Sequence, residues 1–168
     1  MIVGIDNGLS GAIVALNGER IAFKRAMPVT GEKRVHDVME IVRIMEAAAP
    51  VEHVFIELPQ MRPGQGVKSP FSVGKGFGYV VGIICALRFP YTTVPPQTWQ
   101  KEMFRGIPKD PDTKAMSYRA CQMIWPRESW LASDRCKVAH DGMTDAALIA
   151  EFGRRLKHGP GATLDTDF

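Results

Sequence analysis

Four carboxylates in this sequence sit where chemistry could use them. Asp6 closes the apolar run "MIVGID", Glu57 closes "VEHVFIEL", and Asp141 and Asp145 stand four apart in "HDGMTDAALIA". An acid that ends a buried strand points into the loops at the sheet edge, where sites in α/β folds collect. Two acids four apart at a helix start share one face. Asp6, Glu57, Asp141 and Asp145 could therefore meet, and like charges that close need a cation between them. An all-oxygen donor set suits Mg²⁺ or Mn²⁺ rather than zinc. Two such ions about 4 Å apart would clamp the attacking and leaving oxygens of a phosphodiester. Each acid has a plainer reading. Asp6 opens Asp-Asn-Gly turn chemistry, Glu57 fits a strand-end salt bridge, Asp141 fits an N-cap and Asp145 fits an exposed first-turn acid. Singly the plain readings are favoured; together, with a basic segment between them, the metal cluster accounts for more.

The elements that must position these acids follow from the apolar pattern. "MIVGID" reads as a strand buried on both faces, "GAIVALN" as a second and "RIAFKRAM" as a third, with Asn17-Gly18 as a type I′ hairpin signal. Val35, Val38, Met39, Val42 and Met45 fall on one face of a helix predicted over 35–48. "VEHVFIEL" is the next strand, 71–88 an apolar helix and "YTTVP" a short strand. A helix is predicted over 112–125 with Asp112 or Thr113 as N-cap, and a last one over about 142–157 with Arg154, Arg155 and Lys157 at its cationic end. Ala146 and Ala147 would let this last helix approach the sheet closely. Hairpin strands followed by alternating strands and helices predict one α/β domain with a mixed sheet over 1–157 and a loose tail at 158–168.

With 168 residues, 45% of them hydrophobic, the chain can bury a full core. No apolar run is long enough for a membrane span, and "MIVGIDNG" has no signal-peptide pattern. Cys85, Cys121 and Cys136 are odd in number and widely spaced, which reads as reduced thiols in a cytoplasmic protein. The net charge of +3 is uneven: residues 59–127 hold ten Lys/Arg against three Asp/Glu, whereas the flanking segments each lean acidic. That middle segment is either a solvated surface or a polyanion-binding face.

The segments "GIDNGLSGAI", "VFIELPQMRPGQGVKSPFSVGKGFGYVVGI", "YTTVPPQTWQKEM", "TKAMSYRACQMIWP" and "HDGMTDAALIAEFGRR" together resemble the RuvC-type Holliday-junction resolvases of the RNase H-like superfamily, most of all the phage-borne branch. The likeness runs from Ile2 to about Arg155, and the order of motifs is more specific than any one of them. It implies an RNase H-like fold with a five-stranded mixed sheet flanked by helices. It also implies a Mg²⁺- or Mn²⁺-dependent endonuclease with two ions per site, acting as a homodimer on four-way junctions by paired symmetric nicks. The family's first and second acids fall on Asp6 and Glu57. Its closing pair, usually three apart, is altered: Gly142 stands three before Asp145, and Asp141 four before. His140 is then a second candidate for that corner, as ligand or supporting residue, against a plain role at the helix start.

"QMRPGQGVKSP" would be a loop beside the site, and Arg62, Lys68 and Lys75 would face phosphates, as would Lys114 and Arg119 on the next basic helix. Gly74, Gly78 and Gly82 recur every fourth residue in an apolar helix, at about 1 kcal/mol each relative to Ala. The resemblance assigns this stripe to the dimer interface; close packing on the chain's own sheet is the alternative. "GKGFG" lacks the GxxxxGK[ST] spacing of a P-loop, and Trp99 reads as core rather than a base-stacking residue. An actin-like phosphotransferase shares the look of "GIDNGLSG", but such enzymes resemble two domains in tandem; a non-cleaving junction-binding relative is the other alternative.

Overall fold

The computed structural model describes residues 1–60 and 68–159. Five strands form one sheet: β1 (Ile2–Asp6), β2 (Ala12–Asn17), β3 (Arg20–Ala26), β6 (His53–Glu57) and β7 (Tyr91–Val94). Their order is β3-β2-β1-β6-β7, with β2 antiparallel to β1 and β3, and β6 parallel to β1 and β7. A separate two-stranded hairpin, β4 (Val29–Thr30) and β5 (Val35–His36), follows β3. The helices are α1 (Val38–Ala47), α2 (Lys68–Ala86), α3 (Pro96–Met103), α4 (Thr113–Ile124) and α5 (Asp141–His158). This is the mixed five-stranded α/β architecture expected from the sequence.

The sheet is buried on both faces, and side-chain alternation sorts the residues between two cores. Ile2, Val14, Leu16 and Phe55 join Trp99, Met143 and Leu148 on the face covered by α3, α4 and α5. Val3, Ile5, Ile13, Val54 and Ile56 join Ile41, Met45, Val80 and Ile84 on the face covered by α1 and α2. Helix α5 lies closest to the sheet. A Cβ on Gly4 would overlap the backbone of Ala146 and Ala150, so glycine in β1 and alanine in α5 together set the spacing. That approach brings the α5 N-terminus to the end of β1.

Two expectations are corrected. Val35 is not part of α1: it lies in β5, and the helix begins after Asp37, whose side chain accepts from the Glu40 amide at 3.0 Å. A local cap thus outweighs the apolar periodicity that carried the helix back to 35. The β2–β3 loop is Gly18–Glu19, with a positive φ of 59° at Gly18 and none at Asn17; that is the type II′ pattern, not type I′. The last helix spans Asp141–His158, in agreement with the expected 142–157, and residues 160–168 lie outside the described residues.

Candidate active site

Asp6 and Glu57 end adjacent parallel strands: Ile5 is paired with Ile56, one residue before each acid. Asp145 comes from the second turn of α5, facing the same edge. A cavity of about 410 Å³ opens there, lined by Asp6, Gly8, Ser10, Lys114, His140, Asp141 and Asp145 among others. Glu57 is not in the lining but stands within electrostatic reach of Asp6 and Asp145.

The acids show what bringing them together costs. Burial raises Asp6 above the ordinary carboxylate range, against the opposing pull of the Gly8 amide, which donates to Oδ1 at 3.0 Å. Glu57 is pushed up to about 7, first by burial and then by Asp6; the Trp99 indole, donating Nε1–H to Oε2 at 2.9 Å, opposes this, and Asp145 adds to it. Asp145 is also pushed up to about 7, by burial first; a Ser117 hydroxyl hydrogen bond and the Lys114 charge oppose this, while Asp6 and Asp141 add repulsion. Burial first, and neighbouring acids after it for Glu57 and Asp145, thus hold these carboxylates toward the protonated form, and their close partners among the described residues, Trp99, Ser117 and the Gly8 amide, are neutral donors. Among the described residues, however, no three His, Cys, Asp or Glu side chains already stand as a closed metal-ligand set. The acids share a neighbourhood rather than a finished cage.

Asp141 differs. Its side chain is 46% exposed and pairs with the Lys114 ammonium at 2.6 Å, which raises the Lys114 pKa. Asp141 is not the N-cap. His140 is, with Nδ1 accepting from the Met143 amide at 3.2 Å. The backbone role weighed for His140 is therefore present, while its ring still lines the cavity. The altered spacing of the closing acids has a steric reason. A Cβ on Gly142 would overlap the Ser10 carbonyl and Gly11, so no side chain fits three residues before Asp145. An acid offered at that turn has to come from position 141.

The cations are less concentrated. Of Lys75, Lys114 and Arg119, the basic candidates whose side chains are described, only Lys114 lines the cavity. Lys75 is exposed on α2 over the Tyr79 ring, 5.7 Å from its centroid. Arg119 pairs with Asp110 at 3.1 Å. Arg62 and the side chain of Lys68 lie outside the described residues. On α2, a Cβ at Gly74, Gly78 or Gly82 would meet nothing within 4 Å, which removes packing on the chain's own sheet as the reason for the stripe. Gly76, between them, is the tightly packed glycine, against His36.

Trp99 is core, fully buried as expected, but its bond to Glu57 escaped sequence reasoning, as did the Ser117 contact with Asp145. A buried Trp needs an acceptor for its N–H, and a serine on the buried face of a helix needs a partner. Those were the available signals, though neither names the partner. Cys121 lies near Asp145, and burial together with that charge keeps its thiol neutral, which makes it a poor nucleophile.

No family model matches the sequence, and no curated protein matches it. Solved structures do. RuvC from Thermus thermophilus matches at 18% identity and a TM-score of 0.61, over 96% of this chain and 98% of that one. T. thermophilus RuvC in complex with a Holliday junction substrate matches at 15% identity and 0.61, with the same coverage. The yeast mitochondrial Holliday junction resolvase matches at 15% and 0.63, over 94% of this chain and 78% of its own. At these identities the likeness establishes architecture: the chain has the RuvC-like α/β fold, nearly end to end.

Proposed function

We propose that this chain is a divalent-metal-dependent, structure-selective DNA endonuclease that resolves four-way junctions by paired, symmetric nicks. The observation that supports it most is the convergence of Asp6, Glu57 and Asp145, from three separate elements, into one buried cluster whose close hydrogen bonds, among the described residues, come from neutral donors. A protein gains no stability from three buried acids arranged this way, so the cluster fits a cation from outside. The oxygen-only donor set fits Mg²⁺ or Mn²⁺, two per site. Asp6, Glu57 and Asp145 would hold them, with Asp141 or His140 completing the set. Bound there, the ions would supply an activated water and stabilise the leaving 3′ oxygen.

The chain's own residues do the rest. Trp99 and Ser117 fix the carboxylate rotamers of Glu57 and Asp145. Lys114, 64% exposed and tethered only to Asp141, can turn toward a phosphate at the cavity mouth. Lys75 and Arg119, with Arg62 and Lys68, extend the contact along the DNA backbone.

The assembly proposed is a homodimer about a two-fold axis, since a four-way junction offers two equivalent strands. Helix α2 is its interface. Phe71, Val73 and Tyr79 are exposed on it, Gly74, Gly78 and Gly82 leave its surface open, and an apolar groove of about 370 Å³ runs between α1 and α2. The motif likeness supports a phage-borne origin, with action in the host cytoplasm as part of the same proposal. The deciding experiment is incubation with Mg²⁺ and a labelled four-way junction, a matched duplex, or ATP. Paired nicks in the junction alone support the reading; ATP turnover, or binding without cleavage, would replace it with one of its rivals.

A further inference from the structure

Two buried polar residues outside the acid set are joined to it by hydrogen bonds. Asn7 directly follows Asp6 and is 5% exposed. Its Nδ2 donates to the backbone carbonyl of Glu57 at 2.6 Å. His36, at the end of β5 and 6% exposed, has Nε2 at 3.0 Å from the Asn7 carbonyl. A carbonyl only accepts, so Nε2 must carry the proton. The ring is held from the other side as well. It lies edge-on to Tyr79, with centroids 6.3 Å apart, and a Cβ on Gly76 would overlap it.

From this geometry we infer that Asn7 and His36 are positioning residues that fix Asp6 relative to Glu57. The regular β1–β6 ladder ends at Ile5 and Ile56. Beyond that point β1 and β6 are no longer paired with each other: Asp6 is held to Ala12 on one side and Glu57 to Val94 on the other, and repulsion between the acids favours their separation. The Asn7 side chain adds one rung past the end of the ladder. Because its donor is a side chain and its acceptor a carbonyl, the rung needs no charge of its own next to the acids. His36 then fixes the Asn7 peptide against α2. Gly76 is glycine because the ring occupies the space a side chain would take. The acids are thus presented at a set separation before any cation arrives, which lowers the reorganisation that binding requires.

The inference rests on the metal-dependent reading proposed above, and the test separates the two. Mn²⁺ binding to the full chain is measured by calorimetry without DNA, at a temperature well below unfolding for each variant. Wild type should bind. Asn7→Ala and His36→Ala should each weaken binding by about tenfold or more, the range seen when outer partners of metal ligands are removed. His36→Gln, which keeps a donor at similar reach, should restore most of it, a rescue that a merely space-filling histidine would not show. Asn7→Ala removes little volume and keeps the test open if His36→Ala fails to fold. Wild-type Mn²⁺ affinity in a folded Asn7→Ala protein would overturn the inference while leaving the nuclease reading in place. Absence of Mn²⁺ binding by wild type would overturn the reading, and the inference with it.

Discussion

Removing one charge from the acid cluster should make the metal-free protein more stable while destroying its activity. In the unfolded chain Glu57 and Asp145 titrate near their ordinary values of 4.5 and 3.8; in the folded protein both sit near 7. Between those limits the folded state holds more protons than the unfolded one, so stability falls as pH rises, and above pH 7 the loss is complete. At about 1.4 kcal/mol per pH unit, each displacement alone is on the order of 3–4 kcal/mol. The two are not additive, because part of each is the repulsion they share. Asp145→Asn removes its own share and relieves Glu57, and its side-chain oxygen can still accept from Ser117. In EDTA at pH 8 the variant should be more stable than wild type by about 3 kcal/mol, or about 6–12 °C in Tm for a chain of this size. At pH 4.5 the difference should shrink to about 1 kcal/mol, vanishing only below the unfolded Asp145 value of 3.8. Saturating Mg²⁺ at pH 8 should stabilise wild type and leave the variant almost unmoved. Junction cleavage by the variant should fall by several orders of magnitude, and junction binding should hold or tighten. Thermal unfolding across pH 4.5–8.5, with and without Mg²⁺, reads all of this. A wild type equally stable at pH 5 and pH 8 in EDTA, and unaffected by Asp145→Asn, would refute the account of the cluster.

Mg²⁺ or Mn²⁺ should support cleavage, EDTA should abolish it, and Ca²⁺ should allow junction binding without turnover; full activity in EDTA would remove the metal from the mechanism. Gly78→Leu, placed on the open face of α2, should shift the protein toward monomer in sedimentation and lower paired nicking, whereas a wild type that is monomeric on DNA would show α2 not to be the interface. Replacing Arg62, Lys68 and Lys75 with Ala should lower junction affinity and reduce the slope of log K against log salt by up to about three, near 0.9 per lost phosphate contact; an unchanged slope would leave these residues as solvated surface.

Much of the fold was legible because its signals are local. Apolar runs closed by Asp6 and Glu57 gave two strand ends, and Ala146 with Ala147 gave a helix able to approach the sheet. Gly4, the other half of that approach, could not be recognised without knowing what lies across from it. The start of α1 was misread even though its cap was present in the sequence: Asp37 and Glu40 carry the spacing of an N-terminal cap, but Val35 extended the apolar stripe and outvoted it. Similarly, Gly142 was visible as a departure in spacing, but its cause, the Ser10–Gly11 backbone packed against it, belongs to another part of the chain. The partners of the acids were illegible for the same reason. Trp99 lies 42 residues from Glu57, and His36 lies 29 from Asn7; no periodicity links side chains at such separations.

The distribution of cationic charge carries the last step. If the cluster were a structural ion-pair network, its buried members would be the ones matched to lysine or arginine, as Glu151 is, nearly buried and gripped by both Arg154 and Arg155. At the sheet edge the pattern is reversed. Among the described residues, the lysine in the cavity pairs with Asp141, the most exposed of the four acids, while the buried ones accept hydrogen bonds from an indole, a hydroxyl and an amide. Exposed pairs of that kind are weak and readily exchanged. On the proposed nuclease reading, Lys114 would leave Asp141 for an arriving phosphate, and Asp141 would then be free to turn toward the other acids. The protein therefore places its permanent charge compensation at Glu151, where rigidity is wanted. It leaves the strand-end acids uncompensated, where an exchangeable cation and a polyanion would have to enter together.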